Sequence, residues 1–421
     1  MADRLRCALH SIRKSERGQV LLTILLVIGA GVAALVYNLV TPASLSIAND
    51  KKTAAALARA KEALIGYAAS YPDQPGVLPC PDSDNDGTAD SPCGPANATA
   101  IGRLPWKTLG LPNIRDGSGE CLWYAVSANF KKSSTGPASV NSDTPGTLTV
   151  TDGTGSPLPT PPNPVLAIVF APGPSLSGQS RVPSSSITCG GRTGSGAAAA
   201  DASAYLDTTA GINNATGNGA ANNFITAAQS NTFNDQLLAI TSDALFAVVA
   251  MRVAREVRTF LTIYFNTNGY YPFASNYGNT TFSCVPGLTR GRLPKPGGIP
   301  GYDISTGCGG LADWTGLGQP ASWFTTNNWH LLTYYTVAPA CINTTPNCAG
   351  IGYITVNNTQ APNDNKRALV IVTGRALSGQ LRPCAGVADC LEDPENTNLD
   401  DVYVKNPISS TFNDKFVIVA P

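Results

Sequence analysis

The sequence predicts an α+β fold: a long N-terminal membrane-spanning helix followed by two tandem helix-on-antiparallel-sheet domains, rich in disulfides. Three observations predict it. No charged residue occurs between Arg17 and Asp50. Ten of the 11 cysteines follow that uncharged run, and only Cys7 precedes it. Several short motifs then recur, in one order, in the two halves of what remains.

Residues 1–18 form a basic leader. Arg4, Arg6, Arg13, Lys14 and Arg17 stand against Asp3 and Glu16, and basic flanks stay on the cytoplasmic side of a membrane. Residues 19–41 follow as the expected transmembrane segment, because about 20 apolar residues span a bilayer. The rival is a cleaved secretory signal, whose apolar core is usually shorter. An uncleaved signal anchor is the plainer alternative.

Residues 42–240 make the first expected domain. A helix is predicted over 44–71, where Ala54, Leu57, Ala58, Leu64, Ile65 and Ala68 recur at helical spacing. Pro42 interrupts it from the apolar run, and Pro72 stops it. Beyond residue 73 short apolar runs alternate with turn residues. Leu122–Val126 and Val165–Phe170 read as strands. Residues 184–231, rich in Ala, Gly, Asn and Ser, read as a long surface excursion. Residues 241–421 make the second expected domain. Its helix is capped near Ser242-Asp243 and carries Leu245, Val248, Val249, Val253, Val257 and Phe260 to about Phe265.

The halves match motif by motif. Ala60-Lys61-Glu62 returns as Ala254-Arg255-Glu256, and Gly102-Arg103-Leu104-Pro105 as Gly291-Arg292-Leu293-Pro294. Trp123–Val126 is echoed by Tyr334–Val337, and Val165–Val169 by Ala368–Val372. Leu176-Ser177-Gly178-Gln179 returns as Leu377-Ser378-Gly379-Gln380, and Thr232-Phe233-Asn234-Asp235 as Thr411-Phe412-Asn413-Asp414.

Basic and acidic residues balance at 28 each, which gives no electrostatic footprint for nucleic acid. Charged residues are only 13 % of the chain, and the 43 % that are apolar suffice for real cores. Cys80, Cys93, Cys121, Cys189, Cys284, Cys308, Cys341, Cys348, Cys384 and Cys390 lie on one side of the apolar run, as five disulfides in an oxidising compartment would. No Cys-x-x-Cys pair points to zinc or thioredoxin chemistry. Spacing does not fix the connectivity. Nearest-neighbour closure is the expectation: 80–93, 121–189, 284–308, 341–348 and 384–390.

Asp82-x-Asp84-x-Asp86-Gly87 is the strongest site signal. Alternating aspartates set oxygens on one side of a turn that Gly87 permits, as in the first half of a calcium loop. The Thr88 carbonyl and Asp90 extend the candidate set. The bidentate Glu that closes such loops is absent, with Cys93 in its place. The plainer alternative is an Asp-rich turn closed by a Cys80–Cys93 bond. Trp314, Trp323, Phe324, Trp329, Tyr334 and Tyr335 form either a surface-ligand patch of the second domain or, the favoured reading, its core. His10 and His330 are the only histidines, and no nucleophile-elbow or phosphate-loop motif occurs, so no catalysis is expected.

A basic leader ending in glycine, an apolar helix and a disulfide-bonded helix-on-sheet domain resemble the type IV pilin and type II secretion pseudopilin superfamily. Residues 15–180 carry the closer likeness to proteobacterial pilin-like minor subunits. It rests on Ala63–Ala68, Leu78–Gly87, Gly102–Trp106 and Leu122–Val126. The resemblance implies that both domains are pilin-like. It implies cleavage by prepilin peptidase after Gly18, leaving Gln19 as the first mature residue. It also implies a single-pass inner-membrane precursor with a periplasmic head, and afterwards a place among other pilin or pseudopilin subunits in a periplasmic or cell-surface filament. Two residues depart from the pattern. Gln19 stands where the family usually has Phe or Met, and Thr23 where most members carry Glu. That Glu pairs with a neighbouring subunit's amine in an apolar surround. Thr23 makes no such pair, which suits a tip subunit. The expected function is therefore a non-enzymatic minor subunit near the tip of a type IV pilus or secretion pseudopilus. The alternative is a membrane-anchored adhesin or binding protein outside any filament.

Overall fold

The computed structural model describes residues 25–28, 42–132, 139–159, 163–185, 188–278, 284–294, 322–342, 346–349 and 351–420. Three helices organise it: α1 (Pro42–Ser70), α2 (Ala197–Tyr205) and α3 (Ser242–Asn268). Two four-stranded antiparallel sheets accompany them. The first has the order β1 (Ala100–Arg103), β2 (Trp123–Val126), β3 (Val165–Ala171), β4 (Gln236–Thr241). The second has the order β5 (Arg290–Arg292), β6 (Thr333–Val337), β7 (Ala368–Val372), β8 (Lys415–Ala420).

The alanine-rich α1 buries one stripe, Ala56, Leu57, Ala60, Leu64 and Ala68, at steps of three and four residues. Lys61, beside this stripe, donates from Nζ to the Ala239 carbonyl of edge strand β4 at 2.9 Å. Helix α3 buries a wider face that includes Leu245, Phe246, Val249, Ala250, Val253, Val257 and Phe260. A wide face fits a helix lodged between elements rather than laid on one surface. The Thr241 hydroxyl caps its start by accepting from the Ala244 amide at 3.4 Å, one residue before the cap expected from sequence. Gly269 ends it at φ 76°.

The expected fold class is corrected by this architecture. The described residues form a mixed α/β structure with several small sheets rather than two tandem helix-on-sheet domains; of the expected membrane-spanning residues 19–41, all but 25–28 lie outside the described residues. Among the described residues no helix is long and apolar enough to cross a membrane. Helices α1 and α3 and both large sheets contribute to one continuous core. The sheets are not covered on one face alone. Smaller sheets flank them, and two of these contain parallel pairs: Thr149–Asp152 with Asn223–Thr226, and Thr355–Asn357 with Val402–Val404.

The physical reason lies in β3. All seven of its residues are buried. Ala167, Val169 and Ala171 join the main core, while Val165, Ile168 and Phe170 join a second cluster with Trp123, Tyr205, Leu206 and Phe224. A strand buried on both faces needs cover on both. The low-complexity stretch 184–231 provides the second cover, so it is not a surface excursion. Its alanine run becomes α2, consistent with the high helix propensity of alanine. In the second half Tyr403 packs on the sheet, and its hydroxyl lies 2.8 Å from that of Tyr334.

Disulfides join Cys80 to Cys93, Cys121 to Cys189, Cys341 to Cys348, and Cys384 to Cys390. Cys284 is disulfide-bonded too, and Cys308 lies outside the described residues.

Candidate metal centre

Asp82 begins the candidate loop, between Cys80 and β1. An isolated backbone bridge fixes it to β1: Asp82 and Arg103 exchange amide–carbonyl bonds of 3.0 and 2.9 Å. The Asp82 side chain turns inward and is almost fully buried. Its two oxygens accept from the backbone amides of Asn85 at 2.7 Å and Gly87 at 2.8 Å. Burial pushes its carboxyl up to about 6, and the charges of Asp86 and Asp84 add to the rise against those two amides. Asp86 is exposed. The Thr88 hydroxyl and amide donate to it, and they hold it below the usual carboxylate range.

The chain reverses at Gly87, with φ +88°. A Cβ there would stand 2.7 Å from the Trp106 indole, so both the conformation and the close approach require glycine. Asn85 is also left-handed, at φ 68°. Its side-chain amide donates to the carbonyls of Cys189 at 3.3 Å and Arg192 at 3.0 Å, docking the loop on the segment before α2.

Asp82, Asp84 and Asp86 each offer a carboxylate oxygen within 4.8 Å of the others. Asp90 is not one of this group; its Oδ2 accepts from the Ser83 amide at 2.6 Å. Three carboxylates this close repel one another unless a cation or proton lies among them. The donor set is hard oxygen throughout, which fits calcium rather than zinc or copper. The second half has the same scaffold without the acids. Ser275 exchanges backbone bonds with Arg292 at 2.9 and 2.8 Å, as Asp82 does with Arg103.

The sequence motifs also meet in ways that spacing did not reveal. Arg103 is buried between the rings of Trp123 and Tyr205, 4.7 and 4.8 Å from their centroids, and donates to the Gly190 carbonyl beside Cys189 at 2.6 Å. Its counterpart Arg292 lies over Tyr277 and donates to the Cys384 carbonyl at 2.5 Å. In both halves the arginine of the Gly-Arg-Leu-Pro motif thus anchors a disulfide-bearing segment. Its doubled occurrence was the signal available in the sequence.

Of the aromatic group, Trp323, Phe324, Trp329, Tyr334 and Tyr335 are buried in the core. Trp314 lies outside the described residues, as do the processing residues Gly18 and Gln19 and the assembly residue Thr23. His330 is buried near the Phe324 ring, with 6.5 Å between ring centres. No protein-family model, curated protein or solved structure matches the chain.

Proposed function

We propose that this chain is a non-enzymatic minor subunit of a type IV pilus or secretion pseudopilus, joined to its filament through the N-terminal helical segment. One observation carries the reading. Residues 45–52 at the start of α1 are all exposed, with Leu45 and Ile47 more than half accessible. Residues 25–28 are also helical, and Leu25, Leu26, Val27 and Ile28 are 57–68 % accessible. Apolar helical surface of this kind finds cover against other helices or lipid. The disulfides support a head on the oxidising side of the inner membrane, periplasmic before assembly and in the filament afterwards. Thr23, which lacks the family's carboxylate, supports a position at the tip. Mass spectrometry of the mature N-terminus tests the proposal. A start at Gln19 that disappears when prepilin peptidase is deleted is the expected result. An intact Met1 in wild-type cells would instead favour an anchored adhesin or binding protein outside any filament.

In the same proposal, calcium is held by Asp82, Asp84 and Asp86, with Asp90 bracing the loop through Ser83. The ion would supply positive charge to three crowded carboxylates and tighten a loop already docked on the Cys189 segment. Calcium at a hundredfold excess over its Kd is expected to stabilise the head by about 2.7 kcal/mol. Thermal melts in calcium and in chelator measure this. Asp84→Asn and Asp86→Asn should each erase the difference, and identical wild-type melts would sink the calcium assignment.

A further inference from the structure

The Leu-Ser-Gly-Gln and Phe-Asn-Asp motifs, repeated in both halves, converge on buried acids. Gln179 Oε1 accepts from the Leu176 amide at 2.9 Å and from Arg181 at 2.7 Å. Gln380 Oε1 accepts from the Leu377 amide at 2.8 Å and from Arg382 at 3.3 Å. Asn234 donates to the Pro174 carbonyl at 2.7 Å and Asn413 to that of Arg375 at 3.0 Å. The aspartate of each motif then lies at the foot of the last strand of its sheet, Asp235 before β4 and Asp414 before β8.

We propose that buried Asp235 and the Glu392–Asp414 pair each hold a proton in the folded protein, and that loss of the proton loosens the junctions they close. Around Asp235 the backbone contacts with Asp207 are reciprocal, and Gln179 Nε2 donates to Asp207 Oδ1 at 2.7 Å. The Asp207 amide donates to Asp235 Oδ2 at 2.8 Å, and the Asn234 amide donates to Asp207 Oδ2 at 2.8 Å. Asn214 Nδ2 adds a 3.0 Å bond to Asp235. Asp235 is 1 % accessible, and its other oxygen meets no donor. The cation facing the pair is Arg181, which is also 3.7 Å from Glu120, so three acids share one guanidinium.

In the Glu392–Asp414 pair Asp414 is 2 % accessible, and the Glu392 amide is the backbone donor that faces its carboxylate. A single proton turns its contact with Glu392 into a hydrogen bond. The groups around it are Arg382, which is 3.4 Å from Asp143, together with Lys415 and the Tyr277 hydroxyl. Buried carboxylates in excess of nearby cations retain a proton in preference to an uncompensated charge.

Burial raises all four carboxyls, and the partner's charge adds to the rise at Asp235, which reaches about 7, and at Asp414. A carboxyl raised on folding stabilises fully below its unfolded value near 4. That stabilisation drains as pH climbs through the folded value. For Asp235 the window runs from about 4 to about 7.

Thermal melts of the full chain in mild detergent, from about pH 5 to about pH 9, test the proposal. The wild-type Tm should fall with rising pH. Asp235→Asn and Asp414→Asn should each flatten that slope, since an amide has no such proton to lose. Coincident slopes for folded wild type and variants would overturn it. If the variants do not fold, a carbon-13 carboxyl NMR titration of the wild type decides. The resonances assigned to Asp235 and Asp414 should titrate well above the usual carboxylate range, Asp235 at about 7, and midpoints below about pH 5 for both would overturn the proposal.

Discussion

Replacing Arg252 with alanine is expected to cost about 2–4 kcal/mol of folding stability, because the side chain makes charge-assisted bonds at a helix end. Arg252 sits in α3 but serves α1. Its Nη1 donates to the carbonyls of Ala69 and Tyr71 at 2.6 and 2.7 Å, and Nη2 reaches that of Pro72 at 3.4 Å. Helix α1 has no basic residue in its own last turn. The guanidinium from the neighbouring helix therefore meets the partial negative charge of the exposed carbonyls. It also stacks 5.3 Å from the Trp323 ring centre. Urea unfolding at constant slope measures the loss. Arg252→Lys should recover only part of it, since a point charge does not reproduce the fork of donors. A loss below about 0.5 kcal/mol for Arg252→Ala would show that water substitutes for the side chain.

Removal of the Cys121–Cys189 bridge is the second large effect. The two cysteines are 68 residues apart in sequence. Loop-closure entropy for a span of that length gives about 4 kcal/mol, against roughly 2.5 kcal/mol for the short Cys341–Cys348 span. The bridge holds the segment that Arg103 and Asn85 also grip, directly before α2. A Cys121→Ser/Cys189→Ser variant should unfold at lower urea and become sensitive to limited proteolysis within residues 188–205. Unchanged cleavage there would mean that the polar contacts alone hold the segment.

Local structure was legible in the sequence wherever one physical signal dominated. The alanine stripe of α1, the apolar periodicity of α3 and the turn-bounded run of β3 each had a single periodicity and clear stops. What surrounds β3 was not legible. A run of buried residues shows that a strand needs two covers, but it does not show which distant segment supplies the second. Residues 184–231 look like a surface excursion by composition, yet Tyr205, Leu206, Phe224 and Ile225 are enough to make them a layer. The contribution of both halves to one core was hidden for a similar reason. Leu245 and Phe246 are adjacent in sequence and both buried, a sign of a wide buried face that says nothing of what lies against it.

The candidate site was legible as a motif because metal-binding loops are local in sequence. Its support was not. The bridge from Asp82 to Arg103, the packing of Trp106 against Gly87 and the docking of Asn85 on the Cys189 segment all span the fold. Asp235 and Asp414 were visible only as repeat markers, and Asp207 and Glu392 carried no signal at all. Burial, which gives them their chemistry, is a property of three-dimensional packing.

The placement of α1 has a mechanical consequence. A pull applied at the N-terminal end of α1 would run along the axis of this helix. That pull does not peel contacts one by one. The buried stripe, the Lys61 bond to β4 and the Arg252 clamp on the far end would be loaded together in shear. Gly117 adds a steric catch: its backbone lies so close to α1 that a Cβ would fall 2.2 Å from the Asn49 carbonyl oxygen. Tension entering there would pass through these contacts into α3 and β4 together.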